Sequence, residues 1–359
     1  MVTEEELKRI KVDGPDMELE RRIKEIWDGI AKPLDGLGRF ETMIARIGAI
    51  AGNIRIDITS KAVIVLCADN GIVEEGISQS GQEVTAHVAE SMGRGESSVC
   101  RMAKAAGADV IAVDIGINSN INGEGIVHRK IAYGTKNFLK EPAMTKEEVL
   151  QAVTVGIELV KDCKKRGYTL LATGEMGIGN TTTSAAVTAA LLGCPAEDVA
   201  GRGAGLSKEG LSRKYEVINS ALEKYRFQKT DAPGINALDI LAAVGGLDIA
   251  GLTGVFIGGG LYRVPIVMDG SISAAAALAA QRLVPGIKEF IIPSHVSKEP
   301  AAGKIMEELG LYPVIDGKMA LGEGTGAVMM FSLLDIALSV YENRTGFQDI
   351  SVQQYVRFD

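Results

Sequence analysis

The feature that most limits what this chain can fold into is a recurrence of short apolar runs, rich in β-branched residues. Each is closed by glycine or a polar residue and followed by a longer segment of helical character. The runs are Ala62 to Cys67, Val110 to Val113, Leu170 to Thr173, Val264 to Met268 and Phe290 to Ile292. A strand covered on both faces reads as continuously apolar, and its parallel neighbour is reached only through a crossover, usually a helix. The alternation predicts an α/β fold, a parallel sheet flanked by helices. The residues closing the runs are Asp69-Asn70-Gly71, Asp114-Ile115-Gly116, Gly174-Glu175-Met176-Gly177, Asp269-Gly270 and Ser294-His295. Ligands of open parallel sheets bind beyond the carboxyl ends of the strands, so one rim of the sheet is expected to carry the site.

Helical patterns also occupy both ends of the chain: Glu18 to Ile30 and Arg39 to Ala51 precede the first strand, and Gly326 to Asn343 follows the last glycine-rich turn. These ends are expected to form a small helical domain, residues 1–54 plus 326–359, beside a large α/β catalytic domain, residues 55–325. No fixed-period repeat or low-complexity linker interrupts the chain.

Several function classes are disfavoured by composition. A net charge of −8 with only 5% aromatic residues lacks the basic stripes and stacking platforms of a nucleic-acid binder. The amino terminus, MVTEEELKRI, is acidic where a secretory signal would be basic and then apolar, so a cytoplasmic protein is expected. The long uncharged run from Met176 to Ala196 is broken by threonines and glycines, and no membrane span is expected. Cys67, Cys100, Cys163 and Cys194 form no CxxC, and His87, His128 and His295 form no HExxH. Reduced thiols and neither a metal site nor a cofactor are therefore expected.

Glycine is the outlier, 43 of 359 residues against a usual ~7%. Three clusters concentrate it. In Thr173 to Thr183 (TGEMGIGNTTT), glycines between a strand and a helix free backbone N–H groups to converge at a helix amino terminus, which suits a phosphate; a capped turn is the plainer alternative. The order of residues is neither a Walker A loop nor GxGxxG. In Leu321 to Ala327 (LGEGTGA) a single carboxylate, Glu323, stands among glycines, where burial would raise its pKa toward that of a general base; a helix-dipole partner is the alternative. In Gly201 to Leu206 (GRGAGL) glycines lead into a charged helix whose Lys208, Arg213 or Lys214 could complete a phosphate site or face solvent. Asp69 and Asp269 could cap strand-to-helix turns, and His295 could be a turn histidine.

Together these segments resemble the nicotinate-nucleotide:5,6-dimethylbenzimidazole phosphoribosyltransferase family, which makes the lower-ligand nucleotide of cobalamin. The resemblance runs from Lys32 to Ala327 through KPLDGLGRFE (Lys32 to Glu41), CADNGIVEEGISQSGQEVT (Cys67 to Thr85), TGEMGIGNTT, GRGAGLSKEGLSRK (Gly201 to Lys214), VGGLDIAGLTG (Val244 to Gly254), PIVMDG (Pro265 to Gly270), IPSHVSKEP (Ile292 to Pro300) and LGEGTGA. It implies a large Rossmann-like domain, a small helical domain from both chain ends and a site at a homodimer interface. Its substrates would be nicotinate mononucleotide and a benzimidazole-type base. By resemblance Glu323 is the catalytic base. Gly177, Ile178, Gly179, Asn180, Lys214 and Ser297 hold the phosphate end, Glu175 and Asp269 lie near the ribose, and Ser80 and Gly322 line the pocket for the aromatic base. Leu34-Asp35-Gly36 departs from the family pattern, as do Gln82, His87 and Val88 around the base pocket, which leaves the choice of base open. A nucleotide-cofactor oxidoreductase is the competing enzyme reading, and a non-catalytic nucleotide carrier the competing binding one.

Overall fold

A computed structural model describes residues 1–227 and 236–357. Its centre is a six-stranded, entirely parallel sheet of β1 (Lys61–Ala68), β2 (Ala108–Gly116), β3 (Ile126–His128), β4 (Leu170–Met176), β5 (Ile266–Met268) and β6 (Ile291–Pro293). The strand order is β3-β2-β1-β4-β5-β6. This is the doubly wound order of Rossmann-type folds, in which the chain reverses direction between β1 and β4 and opens a crevice beyond their carboxyl ends. Five strands coincide with the apolar runs. The sixth, β3, is a three-residue edge strand, too short to have left a readable pattern.

The helices are α1 (Glu4–Arg9), α2 (Met17–Asp28), α3 (Arg39–Ala51), α4 (Glu83–Gly93), α5 (Ser98–Ala105), α6 (Lys146–Lys165) and α7 (Asn180–Leu192). Beyond these follow α8 (Lys208–Lys224), α9 (Ala237–Val244), α10 (Leu247–Tyr262), α11 (Ser271–Leu283), α12 (Ala301–Leu309) and α13 (Thr325–Glu342). Because side chains alternate along a strand, β1 sends Ile64 and Leu66 to one face of the sheet and Val63, Val65 and Cys67 to the other. The first face is covered by α6, α7, α9, α10 and α11. There α6 and α10 come so close that a β-carbon on Gly156 or Gly254 would strike the other helix's backbone, one structural use of the glycine excess.

The second face is covered by α2, α3, α4, α5 and α13. The two chain ends meet here, with Trp27 of α2 5.2 Å from Tyr341 of α13, ring to ring. The first helix behaves differently. Leu7 of α1 packs into the core of the opposite face, and Val2 N–H donates to Thr154 Oγ1 of α6. Helix α13 is long and apolar enough to cross a bilayer, yet more than half of it is buried. Phe331, Leu334 and Leu338 pack into the core, and Asp335 pairs with Lys61 at 2.7 Å.

Candidate active site

A cavity opens beyond the carboxyl ends of β4, β5 and β6. One wall is Glu175 with the turn Gly177, Ile178, Gly179 and Asn180; another is Asp269 with the first turn of α11; a third is His295, Ser297 and Glu299; the fourth is Met319 to Glu323, leading into α13. Ile77, Met176, Leu206, Ile272 and Leu321 supply its apolar surface. Nine of the eleven residues given a role by the resemblance line this cavity, and the other two, Ser80 and Lys214, do not.

The turn after β4 is held from beneath. A β-carbon on Gly177 would collide with the carbonyl oxygen of Ala68, so glycine lets the loops after β1 and β4 close on each other. Asp69 accepts from Thr85 Oγ1 at 2.7 Å and from Asn118 N–H at 2.8 Å, and Thr85 Oγ1 in turn accepts the N–H of Ile178 at 3.1 Å. Asn180 N–H returns to Gly177 O at 3.1 Å. Two of the expected cradle donors are thus engaged. Among the described residues, the N–H groups of Gly179 and Thr181 find no protein acceptor, and they stand where α7 begins with no side-chain cap.

Beneath this turn lie two buried carboxyls. Asn180 Nδ2 donates to Glu175 Oε2 and, at 3.1 Å, to Asp248 Oδ2 from the first turn of α10. Burial, reinforced by the charge of Asp248, pushes Glu175 up to about 8; burial also raises Asp248 to about 6, although Asn180 and backbone N–H groups hold it lower than burial alone would. Burial raises Asp269 as well, with His295 as the chief opposing influence. The strong burial expected for Glu323 therefore falls on its neighbour Glu175.

Glu323 sits half-buried with φ of 60°, between Gly322 at 84° and Gly324 at 88°. Three successive left-handed residues turn the chain sharply, and only the middle one carries a side chain, at a conformational cost of roughly 1–2 kcal/mol. Several groups fix the turn. Glu323 N–H donates to Glu175 O at 3.2 Å, Thr325 Oγ1 to Gly322 O at 2.9 Å, and Ala327 N–H to Asp269 Oδ1 at 3.1 Å. Asp269 thus caps α13 from another strand. The carboxylate of Glu323 accepts Val99 N–H at 3.1 Å from the first turn of α5, a helix-terminus contact of the kind that complements a negative charge. His295 lies under the first turn of α13, with Nδ1 3.0 Å from Ser294 Oγ and 3.9 Å from Asp269 Oδ1.

Ser80 is exposed, and its carbonyl accepts from Ser78 Oγ; Ser78 and Gln79 stand at the cavity wall in its place. Lys214 is fully buried one layer behind the wall, its Nζ donating to Thr181 Oγ1 at 3.1 Å and to Gly201 O at 3.0 Å. The sequence reading missed Asp248, Arg202, Thr181, Glu299 and the N–H of Val99. Thr181, Arg202, Asp248 and Glu299 lay inside motifs already quoted, whereas Val99 carried no local signal.

A family model described as Phosphoribosyltransferase (DBI_PRT) matches residues 12–352. The chain is 47% identical over 328 residues to the nicotinate-nucleotide--dimethylbenzimidazole phosphoribosyltransferase of Acetivibrio thermocellus, covering 91% of this chain and 92% of that one. It is 43% identical to the protein of the same name from Clostridium acetobutylicum, covering 96% of each. The crystal structure of CobT from Thermus thermophilus superposes with a TM-score of 0.88 at 37% identity, over 94% of this chain and 100% of that one. Agreement in sequence and architecture across nearly the whole length shows that the chain belongs to this phosphoribosyltransferase family.

Proposed function

We propose that this chain transfers the 5-phosphoribosyl group of nicotinate mononucleotide to 5,6-dimethylbenzimidazole or a related base. The products are α-ribazole 5′-phosphate and nicotinate, for cobalamin nucleotide-loop assembly. The observation that carries the reading is that Glu323, the turn from Gly177 to Asn180 and an apolar wall share one cavity. In the mononucleotide the pyridinium is already a good leaving group, so the demanding partner is the nucleophile. One benzimidazole nitrogen attacks C1′ as the C1′–pyridinium bond breaks and its electron pair returns to the nicotinate ring. The proton on the other benzimidazole nitrogen passes to the Glu323 carboxylate. A single displacement inverts the configuration, giving the α-riboside.

In this reading the free N–H groups of Gly179 and Thr181 and the uncapped start of α7 receive the phosphate, with Lys214 and Ser297 behind and beside it. Glu175, protonated near neutral pH, and Asp269 face the ribose hydroxyls. The apolar wall at Met176, Ile178 and Leu321 receives the aromatic base, with Gly322 giving it close access. The reading needs no cofactor and places the enzyme in the cytoplasm, acting on small molecules. A homodimer is part of the proposal: Met329, Ile336 and Val340 of α13 are 43%, 67% and 37% exposed and form an outward apolar stripe, a surface suited to a second copy. Light scattering after size exclusion tests it, and a monomer at micromolar concentration would overturn it.

Activity is tested by incubating the protein with nicotinate mononucleotide and a panel of benzimidazoles, purines and phenols, followed by chromatography and mass spectrometry. Formation of an α-riboside phosphate with release of nicotinate is expected. Binding of the mononucleotide without product from any base would leave the carrier reading, and tight NADH binding without nicotinate release would favour the oxidoreductase.

A further inference from the structure

The loop from Gly201 to Leu206 forms part of the cavity wall through Arg202, Gly203, Ala204 and Leu206, and its backbone is gripped from two sides. On one side the carboxylate of Glu299 accepts Gly201 N–H at 3.0 Å on Oε2 and Gly203 N–H at 2.9 Å on Oε1. On the other, the Gly201 carbonyl accepts from Lys214 Nζ at 3.0 Å. The fit depends on glycine, since a β-carbon on Gly201 would lie 2.6 Å from Glu299 Oε2. Glu299 is itself oriented by its own N–H, which donates to Ser297 Oγ at 3.3 Å.

Lys214 is a fully buried ammonium whose two direct partners are neutral oxygens, those of Gly201 and Thr181. Its charged surroundings are few. Its own helix, α8, turns Arg213 away to Glu75, and the adjoining short helix Ala196–Asp198 engages Glu197 with Asn219 and Asp198 with Lys304. Helix α7 carries no ionisable side chain, and Arg202 directs its guanidinium to Leu206 O. Among the described residues, that leaves Glu299 as the charge acting on Lys214.

We propose that Glu299 is a positioning residue for the phosphate end of the site: by clamping the Gly201–Gly203 backbone it sets the carbonyl that holds the Lys214 ammonium beside Thr181, and it places a negative charge near that ammonium. The inference rests on the phosphate role proposed for Lys214. Burial lowers Lys214 to about 8 while Glu299 opposes the shift, so losing the Glu299 charge lowers it further. Glu299→Gln keeps the shape, one acceptor and no charge.

The test measures kcat and KM for nicotinate mononucleotide from pH 6 to 9.5 in wild type, Glu299→Gln and Glu299→Asp, after thermal melts identify which variants fold. Glu299→Gln is expected to raise KM roughly tenfold at pH 8 with kcat within about threefold, because the clamp acts on binding. The alkaline limb of kcat/KM should move to lower pH. Glu299→Asp, which keeps the charge and loses reach, should retain the wild-type limb while KM rises. An unmoved limb in Glu299→Gln, or a fall in kcat at constant KM, overturns the proposal. Should Glu299→Gln fail to fold, a wild-type KM in Glu299→Asp overturns it and a raised KM with an unmoved limb supports it. Should the wild type form no product, that failure belongs to the functional reading. Calorimetric binding of inorganic phosphate over the same pH range then decides, its alkaline loss coming at lower pH in Glu299→Gln if the proposal holds.

Discussion

Two glycine-rich turns meet at the cavity, joined where Glu323 N–H donates to Glu175 O, and each presents one carboxyl group but holds it differently. In the turn after β4, neighbours crowd the backbone: Gly177 lies against Ala68 O, and Gly179, itself at φ 94°, against Val73 and Asn70. Its carboxyl, Glu175, is buried, held by Asn180 and pushed up to about 8. In the turn before α13, glycine is needed for its dihedral angles, and the carboxylate between the glycines is half-buried, anchored by one N–H from α5. Packing pushes the first well above the ordinary carboxylate range, and backbone conformation holds the second at the cavity wall. Similar composition is therefore no guide to how a carboxyl is buried; the segments packed around it decide that.

The contrast breaks most decisively at Glu323. Glu323→Gln keeps the turn and removes the proton acceptor, so kcat should fall by ~10²- to 10⁴-fold, the usual contribution of a positioned base, with mononucleotide KM little changed. Steady-state kinetics would show the base misassigned if kcat held. Gly177→Ala should destabilise the protein by about 1–3 kcal/mol, the usual cost of overpacking, because Ala68 belongs to a central strand and cannot retreat. Denaturant titration checks it, and an unchanged midpoint would mean that the two loops are not tightly apposed.

Glu323→Gly sharpens the comparison in the reverse direction. Relieving a left-handed side chain should stabilise the fold by about 1 kcal/mol while abolishing turnover, since strain at a functional residue is held by the surrounding structure. Equal melting temperatures for variant and wild type would remove the strain argument. The smallest effect is expected from Glu175→Gln, which mimics the protonated acid. Near neutral pH, activity should change only a few-fold. Glu175 has a folded pKa raised above 4.5, so its neutral form stabilises the fold at low pH and that contribution is lost as pH rises toward about 8. Wild type should accordingly lose more melting temperature between pH 5 and 9 than Glu175→Gln does. Parallel losses would show that Glu175 ionises like an exposed carboxyl.

Much of this arrangement was legible in the chain. Apolar runs marked five strands, the helix over Arg39–Ala51 was read to the residue, and a helix was expected directly after the glycine turn that follows β4. Each of these signals lies within a few residues of the structure it specifies. The resemblance to a known family then brought Glu323 and the turn after β4 to one site.

Other features were decided only when the sheet assembled. Val99 reaches Glu323 across 224 residues of sequence, and Asp248 meets Asn180 across 68. Ser80 and Lys214, singled out by motif, sit outside and behind the cavity wall, and the amino-terminal helix crosses to the far face of the sheet. The physical reason is the range of the forces involved. Periodicity, caps and turns act between near neighbours in sequence and can be read from them. Burial, and the protonation that follows from it, depends on which distant segments meet, and only the folded chain determines that.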